Sequence, residues 1–307
     1  MKELLDKASA AYYAGNPIMS DEEFDALATD YATIGATPTK SKSQHPYPMW
    51  SLSKIYTEDP PFTGGIKSPK LDGAAIRLTY STKLSSGATR GNGIIGEGIT
   101  DLLKNYAYKG ILPIQLPIAG IYQIVGEMVA PKHIKNSRNY AAGALNLKSI
   151  PEAMERDLTF IAYGVEPHLS TSWSSDMAVL RNWGFNTVLD SDWDQFPQDG
   201  TVYRIDNYAE FNAMGYTSKH PRGAYAHKVQ SEGIITTLVD VVWSVGRSGI
   251  VSPVAILEPV EVEDAIVSKA TLHNMAYINA LNLDIGCKVR VIRSGGVIPR
   301  IIGRVDE

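Results

Sequence analysis

Near the start of the chain, Leu4, Leu5, Ala8, Ala11 and Tyr12 fall at i, i+1, i+4, i+7 and i+8, on one helical face. Gly15-Asn16-Pro17 breaks that helix. Ser20-Asp21-Glu22-Glu23 then has the form of a capping box and opens a second, so residues 1 to about 35 read as helical. The stretch from Thr37 to Pro61 is rich in Pro, Ser and Thr and reads as an irregular connector. Between Ile66 and Val229 short strand and helix signals mix. Ala74 to Tyr80 alternates, with Ile76, Leu78 and Tyr80 on one side and Arg77 and Thr79 on the other, which predicts a half-buried strand. Strands and helices do not alternate regularly enough for a doubly wound sheet, so the expectation is α+β with antiparallel sheets.

From Gly233 onward the pattern is that of a β-domain. Strands are expected at Val239 to Val245, Val254 to Val262, Cys287 to Arg293 and Val297 to Val305, with one helical piece at Leu272 to Leu281. Paired strands around a single helix suit a small closed barrel of OB type.

Composition narrows the class without fixing the function. Hydrophobic residues make up 44% and charged residues 20% of the 307, an ordinary globular balance. No apolar run approaches the roughly 20 residues that a membrane-crossing helix needs. The N-terminus lacks the apolar core of a signal peptide. Cys287 is the single cysteine, which excludes a disulfide framework and a four-cysteine zinc site and fits a reducing cytoplasm. No histidine pair has the i, i+4 spacing of a metal site. The formal charge of −4 offers no field for nucleic acid, but Lys288, Arg290, Arg293 and Arg300 form a basic stretch without an acid among them.

Candidate chemistry begins at Lys70-Leu71-Asp72-Gly73, where a lysine and an aspartate two apart on a strand can share one pocket. Alone, this tetrapeptide is more often a surface turn. Further along stand Ala88-Thr89-Arg90-Gly91-Asn92-Gly93, Val125-Gly126-Glu127, Asp199-Gly200-Thr201-Val202-Tyr203-Arg204 and Ala226-His227-Lys228-Val229. Gly91 to Gly96 also satisfies the G-x-G-x-x-G dinucleotide fingerprint. That fingerprint requires a following helix and an acid about 20 residues on, and Gly110 to Ala119 holds no acid. A Rossmann dehydrogenase is therefore disfavoured, and these glycines are expected to shape the turn that holds Arg90.

In this order the motifs resemble those of the covalent nucleotidyltransferases, and specifically the bacterial NAD-dependent DNA ligases. The resemblance covers nearly the whole chain. Tyr12-Tyr13, Pro17 and Ser20 to Asp25 look like that family's N-terminal nicotinamide-mononucleotide-binding module. Pro48 to Leu52 looks like its Met-x-Ser-Leu stretch, and Ser137 to Leu145 and Leu158 to Val165 match further core segments. In the barrel, Val245 to Gly249, Leu257 to Val260, Ala270 to Asn274 and Gly296 to Pro299 match as well. The resemblance implies three domains: 1–57, a small helical module and connector; 58–232, an antiparallel adenylation domain; and 233–307, an OB-type barrel.

It also implies an activity, the sealing of 5′-phosphate/3′-hydroxyl nicks in duplex DNA through lysyl-AMP and DNA-adenylate. NAD is then the AMP donor, with Mg2+, in a cytoplasmic monomer. Lys70 would be the nucleophile. Asp72, Arg90, Glu127, Asp199 and Lys228 would complete the catalytic set, with Glu127 and Asp199 on the metal side. Tyr12, Tyr13, Asp21, Phe24, Asp25, Ser51, Leu52, Ser68, Tyr163 and Arg204 would hold the cofactor, Tyr163 as a stacking platform for adenine. Arg138, Arg247, Lys288, Arg290 and Arg293 would meet DNA. No zinc is implied.

The chain departs from the family pattern in places. Ser68 stands where a glutamate reads the adenine amino group, Arg204 where lysine is usual and Asn146 where arginine is usual. Tyr13 replaces a histidine and Phe24 a tyrosine. The chain stops just past the barrel, where the family usually continues into a zinc module, a helix–hairpin–helix domain and a phosphopeptide-type domain. Two explanations stand, a naturally minimal ligase of the phage or viral kind or a truncated piece of a longer one; the start at Met1 and the departures favour the first. The rivals are an ATP-dependent polynucleotide ligase or capping-type enzyme, which the N-terminal module disfavours, and a non-catalytic OB-fold DNA-binding protein, which the intact motif residues disfavour.

Overall fold

A computed structural model of the chain describes residues 41–56, 60–228, 233–245, 251–262, 265–294 and 298–305. Two compact units emerge, one spanning residues 32–229 and the other containing 230–307. The helices expected over residues 1–35 lie outside the described residues, as do Tyr12, Tyr13, Asp21, Phe24, Asp25 and Arg247.

The larger unit begins with two three-residue strands, β1 (Lys42–Gln44) and β2 (Ser53–Ile55). The segment read as an irregular connector is therefore partly paired. β1 lies antiparallel to β6 (Ile95–Glu97), and β2 lies parallel to β11 (Ala224–His227). Strands this short have too few positions for alternation to show. β2 and β11 continue into β10 (Gln198–Arg204) and β3 (Ile66–Leu71), a four-stranded sheet.

A five-stranded sheet is built on β4 (Ala74–Ser81), flanked by β5 (Lys83–Thr89) and β7 (Ile121–Val129), then β8 (Thr159–Glu166) and the short β9 (Asn186–Thr187). All its pairings are antiparallel except β8 with β9. Ile76, Leu78, Tyr80, Ile124, Met128 and Phe160 fill one face of this sheet. Packed with them are Leu103 and Tyr106 of α1 (Thr100–Tyr108) and Met177 and Leu180 of α4 (Trp173–Asn182). Each fully buried aliphatic or aromatic side chain here contributes about 1.5–3 kcal/mol. α4 starts where the Ser172 side chain accepts from the Ser175 N–H, a serine cap. Between β7 and α4 lie α2 (Ser137–Asn146) and α3 (Ile150–Met154), and α5 (Tyr208–Ala213) follows β10.

The expectation for β4 needs correction. Its second face is buried too: Arg77 and Thr79 are 1% and 7% exposed. The segment after β1 covers that face. Tyr47 N–H donates to Gln123 Oε1 at 3.0 Å, and Gln123 Nε2 donates to the Tyr47 carbonyl at 2.8 Å. Alternation of polar and apolar residues registers polarity, and here polar side chains are buried against a polar strap.

The second unit contains the closed barrel the sequence predicts. β12 (Ile234–Val245), β13 (Val251–Val262), β14 (Ala265–Thr271), β16 (Ile298–Val305) and β15 (Lys288–Ser294) close in that order. Its helix, α6 (Met275–Ala280), is shorter than the Leu272–Leu281 expected. Asn274 caps it, its side chain accepting from the Tyr277 N–H. Leu238, Ala255, Leu257, Val289, Val291 and Ile301 fill the barrel.

Candidate active site

The strand period sets the site. On β3, Ser68 and Lys70 share a side, and Ser68 pairs with Val202 of β10. Asp72 lies one residue past the end of β3, so its place comes from the turn as well as the pleat; its N–H donates to the Pro197 carbonyl at 2.8 Å. Gly73 follows because a Cβ there would stand 2.3 Å from the Met128 carbonyl oxygen. The tetrapeptide is thus a tight passage between two sheets and no surface turn.

Three charged groups meet at Asp199. Lys70 Nζ donates to its Oδ1 at 2.6 Å, and Lys228 Nζ lies 2.7 Å from its Oδ2. Burial alone would raise the Asp199 pKa, but the two ammonium groups outweigh it and hold the carboxyl below its ordinary value. Arg138, in the first turn of α2, lies 3.3 Å from Asp72 Oδ1. Burial nevertheless raises the Asp72 pKa, against the pull of Arg138 and with Asp199 adding to the rise.

Glu127 sits on β7 opposite Ala75 of β4. Loss of hydration pushes its pKa up to about 7, partly offset by the charges of Lys70 and Arg90. Tyr163, on β8, neighbours both Glu127 and Arg90, and burial raises its phenol. Lys70, Asp72, Arg90, Glu127, Arg138, Tyr163, Asp199 and Lys228 thus form one mutually interacting group.

The raised carboxyl has a consequence for stability. A glutamate whose folded pKa lies above its free value favours the fold while protonated and loses that contribution as pH rises through about 7. Glu127→Gln, neutral and nearly isosteric, is expected to melt close to wild type at pH 5 and at a higher temperature than wild type at pH 8. A difference in melting temperature that stays constant across that range would show Glu127 to be ionised throughout.

Arg90 is held by a turn. Its N–H donates to the Ala75 carbonyl at 2.9 Å, and Gly93 N–H donates back to the Arg90 carbonyl at 3.0 Å. Gly91 has φ +56°, and a Cβ there would stand 2.1 Å from the Ile95 carbonyl oxygen. The turn leads into the strand β6, where a dinucleotide fold would place a helix.

Of the other expected residues, Ser68 shares a side of β3 with Lys70. Ser51 Oγ lies 2.7 Å from His220 Nδ1 and donates to the Lys219 carbonyl at 3.3 Å. Leu52 is half-buried. Ser68 is 6% exposed. Arg204 lies among the Phe211, Trp173 and Tyr208 rings, its Cζ 4.0 Å from the Phe211 ring centre, and burial lowers its pKa. Asn146 donates to the Ala142 carbonyl of its own helix.

In the barrel, alternation on β15 sets Lys288 and Arg290 opposite the core residues Val289 and Val291. Arg300 of β16, paired with Ile292 and next to the buried Ile301, joins them. Arg293 falls on the other side of the strand.

No group of three side chains able to hold a metal ion occurs among the described residues. Asp72, Glu127 and Asp199 are the carboxylates of the group around Lys70. That donor set suits a magnesium ion held largely by water and substrate phosphate, and not one caged by protein. Among the described residues no helix is long and apolar enough to cross a membrane. The motif reading missed His45 and Arg77, which lie behind the Arg90 turn, and Gln123, which holds the strap at Tyr47; an isolated histidine in a Pro- and Ser-rich stretch gives no signal of its own.

Comparison with known proteins bears on all of this. The family model for the NAD-dependent DNA ligase adenylation domain matches residues 65–193, and that for the NAD-dependent DNA ligase OB-fold domain matches residues 235–307. The DNA ligase of Wolinella succinogenes is 33% identical, with 96% of this chain and 56% of that protein aligned. The DNA ligase of Campylobacter lari is 34% identical over 95% of this chain and 55% of its own length. DNA ligase 2 of Clostridium acetobutylicum is 32% identical over 99% and 57%. The chain thus spans a little over half the length of the curated relatives it matches.

Proposed function

The chain belongs to the NAD-dependent DNA ligase family, and from that premise we propose that it takes AMP from NAD onto Lys70 and uses it to seal nicks in duplex DNA. The observation that carries the reading is the pair of ammonium groups, Lys70 and Lys228, on the two oxygens of Asp199. One amine serves as nucleophile while the second cation stays to meet phosphate.

Covalent catalysis splits the task into three displacements at phosphorus. In the first, Lys70 leaves its ion pair with Asp199 and gives up one proton to solvent water. Its nitrogen then bonds the α-phosphorus of NAD as the bond to nicotinamide mononucleotide breaks. Lys228, Arg90 and Arg138 supply fixed positive charge where the phosphate oxygens gain negative charge. In the second, an oxygen of the DNA 5′-phosphate attacks and the nitrogen–phosphorus bond breaks, returning Lys70. In the third, the 3′-hydroxyl oxygen bonds the phosphorus of the 5′-phosphate, its proton passes to solvent, and the bond from that phosphate to AMP breaks. Magnesium bound with the nucleotide would add charge neutralisation at the phosphates, and Glu127 and Asp199 are the carboxylates that would hold it. Tyr163 offers the base a stacking surface beside Glu127 and Arg90.

The Lys288, Arg290 and Arg300 face of the barrel is suited to phosphate contacts, which position a protein on a duplex without reading sequence. Arg138 adds a contact in the adenylation unit. The working form is read as a monomer.

The test is a nicked duplex with a 5′-phosphate, incubated with the chain, magnesium and either NAD or ATP. Sealing with NAD and none with ATP is expected. Sealing with ATP alone would place the chain with the ATP-dependent ligases, and sealing with neither would leave it a DNA-binding protein.

A further inference from the structure

Behind the Arg90 turn lies a buried polar chain that the catalytic reading does not use. Arg77, 1% exposed, spends its guanidinium on neutral partners. Nη2 donates to Ser43 Oγ at 2.6 Å, Nη1 to Ser86 Oγ at 2.9 Å and to Thr79 Oγ1, and Nε to His45 Nδ1 at 3.1 Å. Guanidinium donates only and keeps its proton, so His45 Nδ1 must present a lone pair. The neutral ring then carries its hydrogen on Nε2, which lies 2.9 Å from the Arg90 carbonyl oxygen. Burial lowers the His45 pKa, the backbone bond opposes this and the Arg77 charge adds to it, so the ring stays neutral. The imidazole is thereby locked in one tautomer.

The same strap grips the rest of the turn. His45 N–H donates to the Ile94 carbonyl and Met49 N–H to the Gly93 carbonyl, both at 2.8 Å. Beyond β1 and β6, then, the only side-chain bond from the strap to Arg90 itself among these contacts is that of His45. The Arg90 carbonyl is held from one side by Gly93 and from the other by His45, while the Arg90 N–H is tied to β4.

We propose that His45 is a positioning residue: oriented by Arg77, it fixes the peptide of Arg90 and so aims the Arg90 guanidinium at the nucleotide beside Glu127. The proposal rests on the reading of Arg90 as a nucleotide contact. His45 itself touches neither the substrate nor the reacting atoms. A misplacement of about 1 Å behind a reacting centre costs on the order of 100-fold in rate, so a single bond to the backbone here has leverage.

The test compares His45→Asn, His45→Gln and His45→Ala in the full chain. The asparagine amide falls near the place of Nδ1 and keeps a partner for Arg77 without reaching Arg90. The glutamine amide reaches the place of Nε2 and can still donate to the Arg90 carbonyl. Single-turnover transfer of AMP from saturating NAD is expected to fall about 10- to 100-fold in His45→Asn and His45→Ala. His45→Gln should recover most of the rate, with the asparagine and glutamine variants melting at similar temperatures. Equal rates in the asparagine and glutamine variants, or losses that simply follow melting temperature, would overturn the proposal.

Ring 15N NMR of the wild-type protein reads the tautomer without any substrate. An unprotonated Nδ1 is expected, and a protonated one would overturn the proposal. A wild-type chain that takes no AMP from NAD but shows the expected tautomer would count against the ligase reading, and the two failures are thereby told apart.

Discussion

Lys70→Ala is expected to take up no AMP from NAD, a loss on the order of 10,000-fold or more, because removing the nucleophile from a covalent mechanism removes the step itself. The fold should survive, since Lys70 is a quarter exposed and its partner Asp199 keeps Lys228. Lys70→Arg is the sharper control. A guanidinium can keep an ion pair with Asp199 but does not lose its proton, so it cannot attack phosphorus. Both variants should still close a nick that already carries AMP on its 5′-phosphate, at a reduced rate, because that step uses no lysyl-AMP. AMP uptake by Lys70→Arg at anything near the wild-type rate would move the nucleophile elsewhere.

The second large effect concerns the N-terminal residues. Deleting residues 1–40 is expected to abolish reaction with NAD and leave the closure of pre-adenylylated nicks within a few-fold of wild type, because nicotinamide mononucleotide must be held in line only in the first step. The place of the cut matters. A cut at residue 50 would also remove β1, His45 and the bond between Tyr47 and Gln123, uncovering Arg77. That longer deletion should lose both activities and stability together. Equal loss of both activities in the shorter deletion would mean that residues 1–40 serve the fold and not the dinucleotide.

The two deletions mark where the sequence was readable. The barrel was legible because β12, β13, β15 and β16 are long enough for alternation and turns to register, though their bounds moved, as did those of α6; β14, between β13 and β16, was not expected from the sequence at all. Lys70, Asp72, Glu127, Asp199 and Lys228 were legible as motifs, although nothing in their spacing says that one carboxylate would bridge two lysines. β1 and β2 were not legible. Three-residue strands in a Pro- and Ser-rich segment are held by backbone bonds, which leave no mark on side-chain pattern. Arg77 misled for a related reason: a polar residue on a strand signals solvent unless the strap that covers it is known. Ser68 and Arg204 were visible as departures, and both proved to be secluded side chains rather than surface changes.

The central claim, that Lys70 carries the AMP, has a direct rival in the same structure, because Lys228 lies on the same aspartate at nearly the same distance. The decisive measurement is to incubate the wild-type chain with magnesium and NAD, digest it, and locate the AMP adduct by tandem mass spectrometry. The account predicts one adduct, on the Lys70 peptide. An adduct on the Lys228 peptide, or none on any lysine, would contradict it.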